Sequence, residues 1–210
     1  MQETATKTRQ PAETRRRLLD ATVRLMLRQG FTATTVDQIC AEAGLTKGSF
    51  FHYFDNKEAI GRAAADWWGA MGTELYSAAW KDPAADPLEQ LHRMFDIMTG
   101  FTQRLDDPCV CLVGMLSQEM AGTNSNFREV CSRHLSDWTE NVRRLLVAAK
   151  KSHPPMADFD PEAVAWYLNS LWQGSMLIAK TRRTQEMIGD NIRMARAWVD
   201  GFFGSPSTRS

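Results

Sequence analysis

Residues 35–54, TVDQICAEAGLTKGSFFHYF, constrain the fold of this chain more than any other stretch. Thr35 (or Thr34 before it) suits the N-cap of a short helix whose inward positions Val36, Ile39, Cys40 and Ala43 recur at helical spacing, with Gly44 as its stop. Thr46 caps a second short helix, roughly 47–54. Two short helices around a tight glycine turn form the helix-turn-helix layout, in which the second helix enters the DNA major groove. That groove is about 12 Å wide and admits one α-helix. The second helix is also unlike a core element. Thr46, Lys47, Gly48 and Ser49 at its start are small or polar, and His52 and Tyr53 follow. Small residues let the backbone approach phosphates, and the amides of a helix N-terminus are natural anion ligands.

The rest of the chain keeps the helical period, with no run of alternating β-branched residues. A first helix is predicted over 13–29, with Leu18, Leu19, Thr22, Val23 and Met26 on one face and Gly30 at its end. Asp55 or Asn56 opens a fourth, and Asp55 with Glu58 has capping-box spacing. Its buried stripe is Ile60, Ala64, Trp67, Met71 and Leu75, running to Trp80 before Pro83 and Pro87 break it. Further helices are predicted near 88–105, 108–121, 125–151, 160–182 and 185–203. The expected architecture is therefore all-α. A basic disordered arm covers 1–12, a three-helix DNA-binding domain 13–56, a helical effector and dimerisation bundle 57–203, and a disordered tail 204–210.

Charge alone does not suggest a nucleic-acid partner. The 25 Lys and Arg balance the 25 Asp and Glu, which argues against a chain that coats DNA indiscriminately. Residues 1–60 hold nine Lys/Arg against seven Asp/Glu, a surplus of two, with Lys7, Arg9, Arg15, Arg16 and Arg17 clustered early. No apolar run approaches the ~20 residues that span a bilayer, and the polar N-terminus has no secretory h-region. The four cysteines form no disulfide framework. These features point to the cytoplasm. An enzyme has little support: HExxH, a phosphate-binding glycine loop and a nucleophile elbow are all missing from the sequence. A cysteine-dependent enzyme is the reading from another class, and no cofactor is expected.

From about Thr14 to Trp68 the chain resembles the TetR family of transcriptional regulators. The matching residues are Gly30–Phe31, Thr34–Thr35–Val36, Ile39–Cys40–Ala41, Ala43–Gly44–Leu45, Lys47–Gly48–Ser49–Phe50, Tyr53–Phe54 and Lys57–Glu58. The resemblance implies a homodimeric repressor that binds double-stranded operator DNA and is released by a small molecule. It makes Thr35, Thr46, Lys47, Gly48, Ser49, Phe50, His52, Tyr53 and Lys57 the DNA-contact residues. Thr35, Tyr53 and Lys57 suit phosphate oxygens, Lys47 and His52 suit base edges, and Phe50 or Phe51 suits thymine methyl groups. Where members commonly carry Tyr, this chain has Phe51, so one phosphate-directed hydroxyl is absent.

The later half is rich in Met and Trp, including Met94, Met98, Met115, Met120, Trp138, Trp166, Trp172 and Met176, residue types that fill cores and adapt to varied ligands. The segment from Cys111 to Glu119, with Trp172–Gly174 and Ala179–Lys180, is similar to an electrophile- and oxidant-responsive branch of the family. That similarity implies Cys111 as a sensor with Lys180 as a nearby cation, and Met115, Trp172 and Met176 as effector contacts. Asp107 as cap and Pro108 at the first position place Cys109 and Cys111 in the first turn of a helix or just past it, where the dipole lowers a thiol pKa while Asp106 and Asp107 push the other way. The plain alternative is a small buried hydrophobe. A metal site from Cys109, Cys111, Cys131 and His134 is a further alternative, although the C-x-C spacing is shorter than zinc sites favour. The helices near 125–151 and 160–182 are the expected dimer surface, where Gly174 and Ser175 permit close approach.

Overall fold

The computed structural model describes the backbone of residues 3–82, 85–103 and 110–204, and the side chains of 11–82, 85–100 and 110–204. Among these residues there are ten helices and no strand: α1 (Glu3–Gln29), α2 (Val36–Ala43), α3 (Lys47–Tyr53), α4 (Lys57–Leu75), α5 (Ser77–Trp80), α6 (Pro87–Gln103), α7 (Leu112–Met120), α8 (Ser125–Ser152), α9 (Pro161–Arg182) and α10 (Glu186–Phe203). The chain divides into two compact units, Met1–Met71 with Leu112–His134, and Gly72–Cys111 with Leu135–Ser210. The packing boundary therefore falls within α4 and α8, away from the expected boundary at 56/57. The expected tail beyond Gly204 lies outside the described residues.

In the first unit α1 begins at Glu3, well before Glu13, so most of the arm expected to be disordered is helical. Pro11 sits inside the helix, and the good helix formers Glu3, Ala5, Lys7, Arg9 and Gln10 before it outnumber the threonines among them. The expected face of α1 is the core face: Leu18, Leu19, Thr22, Val23 and Met26 are buried, together with Ile39, Cys40 and Ala43 of α2 and Phe50 of α3. Gly44 ends α2 at φ 62°, a left-handed conformation that a side chain would strain. The Arg17 guanidinium donates to the Ala43 carbonyl at 2.6 Å and so ties α1 to the same helix end. The stripe on α4 is Ile60, Gly61, Ala64 and Ala65. Met71 and Leu75, expected on it, are exposed, because tertiary contacts cover only the early turns of that face. Trp67 is anchored by its indole N–H to Asp20 at 2.9 Å. Glu58 does not close a box with Asp55. Its carboxylate accepts from Asn124 and Asn126, while Asn56 accepts from the Ala59 amide.

Glu119 on α7 holds the α1–α2 turn. Its two carboxylate oxygens accept from the Phe31 amide at 2.8 Å and the Thr32 amide at 2.7 Å. Burial pushes this carboxyl up, but the hydrogen bonds from Thr32 and Phe31 and the nearby Lys57 charge outweigh it, leaving the group below its ordinary value. A carboxyl held down in the folded state stabilises it above the unfolded pKa of about 4.3, and that contribution disappears as pH falls through the folded value. The stability gap between the wild type and Glu119→Gln is thus expected to be full at pH 6 and to close towards pH 3. Thermal unfolding of both proteins across that range measures it. A gap independent of pH would remove the clasp's electrostatic part.

The second unit has its own core, in which Leu91, Met94, Phe95 and Met98 of α6 meet Val142, Leu146 and Ala149 of α8, Leu168, Trp172 and Met176 of α9, and Ile188, Ile192, Val199 and Phe203 of α10. Asp160 caps α9 through the Glu162 amide at 2.9 Å and Pro161 takes its first position, where a missing N–H costs nothing. The buried polar side chains here are uncharged and mostly satisfied in pairs: Asn169 donates to Thr139 at 2.7 Å, and Asn191 donates to Ser175 at 2.8 Å. Gln90 donates to the carbonyls of Ala79 and Asp82, which ends α5.

Candidate nucleic-acid interface and effector region

The starts of α2 and α3 are both fixed by threonine caps. Thr35 Oγ1 accepts from the Gln38 amide at 3.2 Å while Gln38 Oε1 accepts from the Thr35 amide at 2.9 Å, a reciprocal box. Thr46 Oγ1 accepts from the Ser49 amide at 3.1 Å and lies 3.1 Å from the Ser49 hydroxyl. Five expected contact residues, Thr35, Thr46, Lys47, Gly48 and His52, are exposed, and a Cβ at Gly48 would make ordinary contact with the Thr46 hydroxyl oxygen at 3.7 Å. Ser49 and Tyr53 are half-buried, and the Tyr53 ring meets that of His52 edge-on at 4.8 Å. Lys47 is paired with Asp37 of α2 at 2.7 Å. That carboxylate holds the ammonium above its ordinary pKa.

Two assignments change. Phe50 is fully buried, with its ring 6.0 Å from that of Phe54, so it supports α3 from beneath and has no surface to offer a thymine methyl. Phe51 is the exposed ring, at 54%. Periodicity alone could not separate adjacent phenylalanines on so short a helix. Lys57 donates to the Phe31 and Thr32 carbonyls at 3.1 and 3.2 Å and lies over the Phe31 ring. A phosphate contact from Lys57 would have to use its remaining proton. Arg17, Gln38 and Asp37 were not anticipated. Gln38 was legible as the fourth residue of a T-x-x-Q box, whereas Asp37 and Arg17 act across helices and leave no local signal.

Cys111 is half-buried and packs against the core of the second unit, where Trp172 and Met176 are buried. It precedes α7, which starts at Leu112, and so is not in that helix's first turn as expected. Asp107, Pro108 and Cys109 lie outside the described residues. Lys180 is exposed on α9. Met115 is half-buried on α7. Cys131 is buried, and His134 Nε2 lies 2.8 Å from Asp66. Among the described residues no three His, Cys, Asp or Glu side chains gather as a metal site would require. Cys40 is core, where burial pushes its thiol up.

Among the described residues, the Trp138 indole Nε1 has no hydrogen-bond partner; it is buried beside this core. Large exposed apolar residues concentrate on α9 (Trp166, Tyr167, Leu177, Ile178) and α10 (Met194, Trp198), whereas α8 exposes Val147. The exposed apolar residues of the last three helices thus lie mainly on α9 and α10. Among the described residues, no helix is long and apolar enough to cross a membrane.

Comparison with known proteins agrees with this layout. Residues 18–64 match the model for bacterial regulatory proteins of the tetR family, and residues 87–195 match the tetracyclin repressor-like C-terminal domain. The transcriptional regulator AcuR of Cereibacter sphaeroides is 32% identical, covering 78% of this chain and 74% of its own. The HTH-type transcriptional repressor NemR of Escherichia coli is 27% identical over 93% of this chain and 96% of its own. The crystal structure of a regulatory protein TetR from Rhodobacter sphaeroides superposes with a TM-score of 0.78 at 28% identity, covering 87% of this chain and 96% of that one. The reduced form of E. coli NemR superposes with a TM-score of 0.79 over 93% and 99% of the two chains, at 23% identity, which speaks to fold alone.

Proposed function

Because the chain belongs to the TetR family of bacterial regulatory proteins, and so is a DNA-binding transcriptional regulator, we propose that it is a homodimeric repressor released from its operator by a small molecule or a cysteine-reactive compound. The observation that carries the DNA half is α3: a rigidly capped helix with Lys47, Gly48, Phe51 and His52 on the outside and Phe50 beneath. Lys47 and His52 read base edges, Phe51 meets thymine methyls, and Thr35, Thr46, Ser49 and Tyr53 set the register on phosphates. The apolar face of α9 and α10 supplies the dimer contact, which places two reading heads about one DNA turn apart, ~34 Å.

The effector half rests on the second unit. Its methionine- and tryptophan-rich core contains a few uncharged polar groups, Asn169, Thr139 and the unpartnered Trp138 indole, the mixture that small-molecule sites use. Cys111 at the edge of this core is the thiol on which a reactive compound acts, with Lys180 as its cation. The relation to NemR, for which a reduced form has been crystallised, favours this reading over a purely reversible ligand. Either trigger works by favouring a dimer whose heads no longer match the operator spacing.

The test is binding of the purified protein to the promoter region beside its own gene, with and without N-ethylmaleimide, hypochlorite or a panel of apolar ligands. Lys47→Ala is expected to weaken specific binding by about tenfold or more, the scale of one lost base contact. Release by thiol reagents in the wild type but not in Cys111→Ser supports the sensor. Release by an apolar ligand alone moves the trigger to the core. Specific binding that neither class of compound alters removes the effector half.

A further inference from the structure

Among the described residues, the cations of the DNA-binding head are already engaged. Arg16 pairs with Glu13 and Asp20, Arg24 and Arg28 pair with Glu42, and Arg62 pairs with Glu58. Arg17 and Lys57 are spent on backbone carbonyls, and Arg15 lies over the Phe54 ring. Lys47 is the one Lys or Arg within α2 and α3, and it too is taken, by Asp37 at 2.7 Å. This last pair differs from the others in place. Its side chains are 62% and 67% exposed, so it braces no core, and it lies across the outer ends of the two helices that form the DNA-reading motif.

We propose that Asp37 is a specificity-determining residue: it occupies the Lys47 ammonium so that the head has little hold on DNA of arbitrary sequence, and yields it to a base edge in the operator. The inference rests on the regulator reading above and adds a role for a residue of α2. The physical basis is counterion release. Each phosphate neutralised by a free cation contributes a salt-dependence slope of about 0.9, and this sequence-independent term supplies essentially all non-specific affinity. A lysine already neutralised by a carboxylate adds nothing to it. Opening the pair is equally unfavourable on every sequence. On arbitrary DNA a phosphate gained by Lys47 only replaces the carboxylate it gives up, whereas a correctly placed base acceptor in the operator returns a hydrogen bond that depends on sequence. Asp37 therefore lowers the background more than the signal. It also accounts for how a chain with no net charge and a head surplus of two can read DNA without adhering to all of it.

The test compares the wild type with Asp37→Asn on the promoter fragment and on a random-sequence duplex, across a salt series. Asn keeps the side-chain shape and the acceptor but not the charge. Binding of Asp37→Asn to the random duplex is expected to rise about eightfold at 0.1 M salt, the value of one counterion at that slope, with the slope steeper by about 0.9. Promoter binding should change by less than about threefold, so the ratio falls. The double variant Asp37→Asn/Lys47→Met should lose the gain on the random duplex. Far-UV circular dichroism and melting of each variant confirm that the comparison is between folded proteins. Unchanged random-duplex affinity and slope overturn the proposal, as does an equal rise on both duplexes or a gain that survives Lys47→Met. If the wild type itself binds neither duplex, the regulator reading falls and this inference with it. If the wild type binds and Asp37→Asn matches it, this inference falls alone.

Discussion

Phe50→Ala is expected to destabilise the first unit by about 3–5 kcal/mol, while Phe51→Ala, one residue away, leaves stability within about 0.5 kcal/mol and weakens operator binding. Phe50 is fully buried between α3 and the α1–α2 core, so truncation removes its transfer free energy and leaves a cavity that short helices cannot collapse. A loss of that size is a large share of the 5–15 kcal/mol that typically holds a domain together. Phe51 is 54% exposed and its ring meets Phe50 only at one edge, 5.1 Å between centroids. Chemical denaturation and DNA titration of the two variants separate support from readout. If Phe50→Ala is as stable as the wild type and Phe51→Ala is the one that unfolds, the assignment of faces on α3 is inverted.

Gly61→Ala is expected to cost about 1–3 kcal/mol, even though alanine is the better helix former. A methyl group at Gly61 would lie 2.6 Å from the Phe31 ring and 2.9 Å from the Phe127 ring. Those rings are both buried and pack edge-to-face at 4.6 Å, so neither can swing aside without opening the core. Gly72, further along the same helix, meets nothing within 4 Å. Gly72→Ala is therefore expected to stabilise by up to about 1 kcal/mol through helix propensity alone. Equal and favourable shifts for both substitutions, read from melting curves, would show that α4 does not need the close approach at Gly61.

Local chemistry determined a great deal here. The helical period, the caps at Thr35 and Thr46, the left-handed stop at Gly44 and the core face of α1 each depend on residues within one or two turns of one another, so the sequence contains the whole cause. That is why the all-α class, the helix-turn-helix and its family were legible before any coordinates. Tertiary structure decided what depends on partners distant in the chain. Which of Phe50 and Phe51 faces outward, why Met71 and Leu75 emerge from the α4 stripe, and why Glu119 grips a turn 88 positions away all follow from what packs against them. The helical start of α1 at Glu3, ahead of the expected Glu13, had local support in the helix formers of that stretch. The Asp37–Lys47 pair is the clearest case: two charges on separate helices become a functional unit only when Gly44 turns the chain and brings α2 and α3 together, because an ion pair is a matter of distance, and distance is set by the fold.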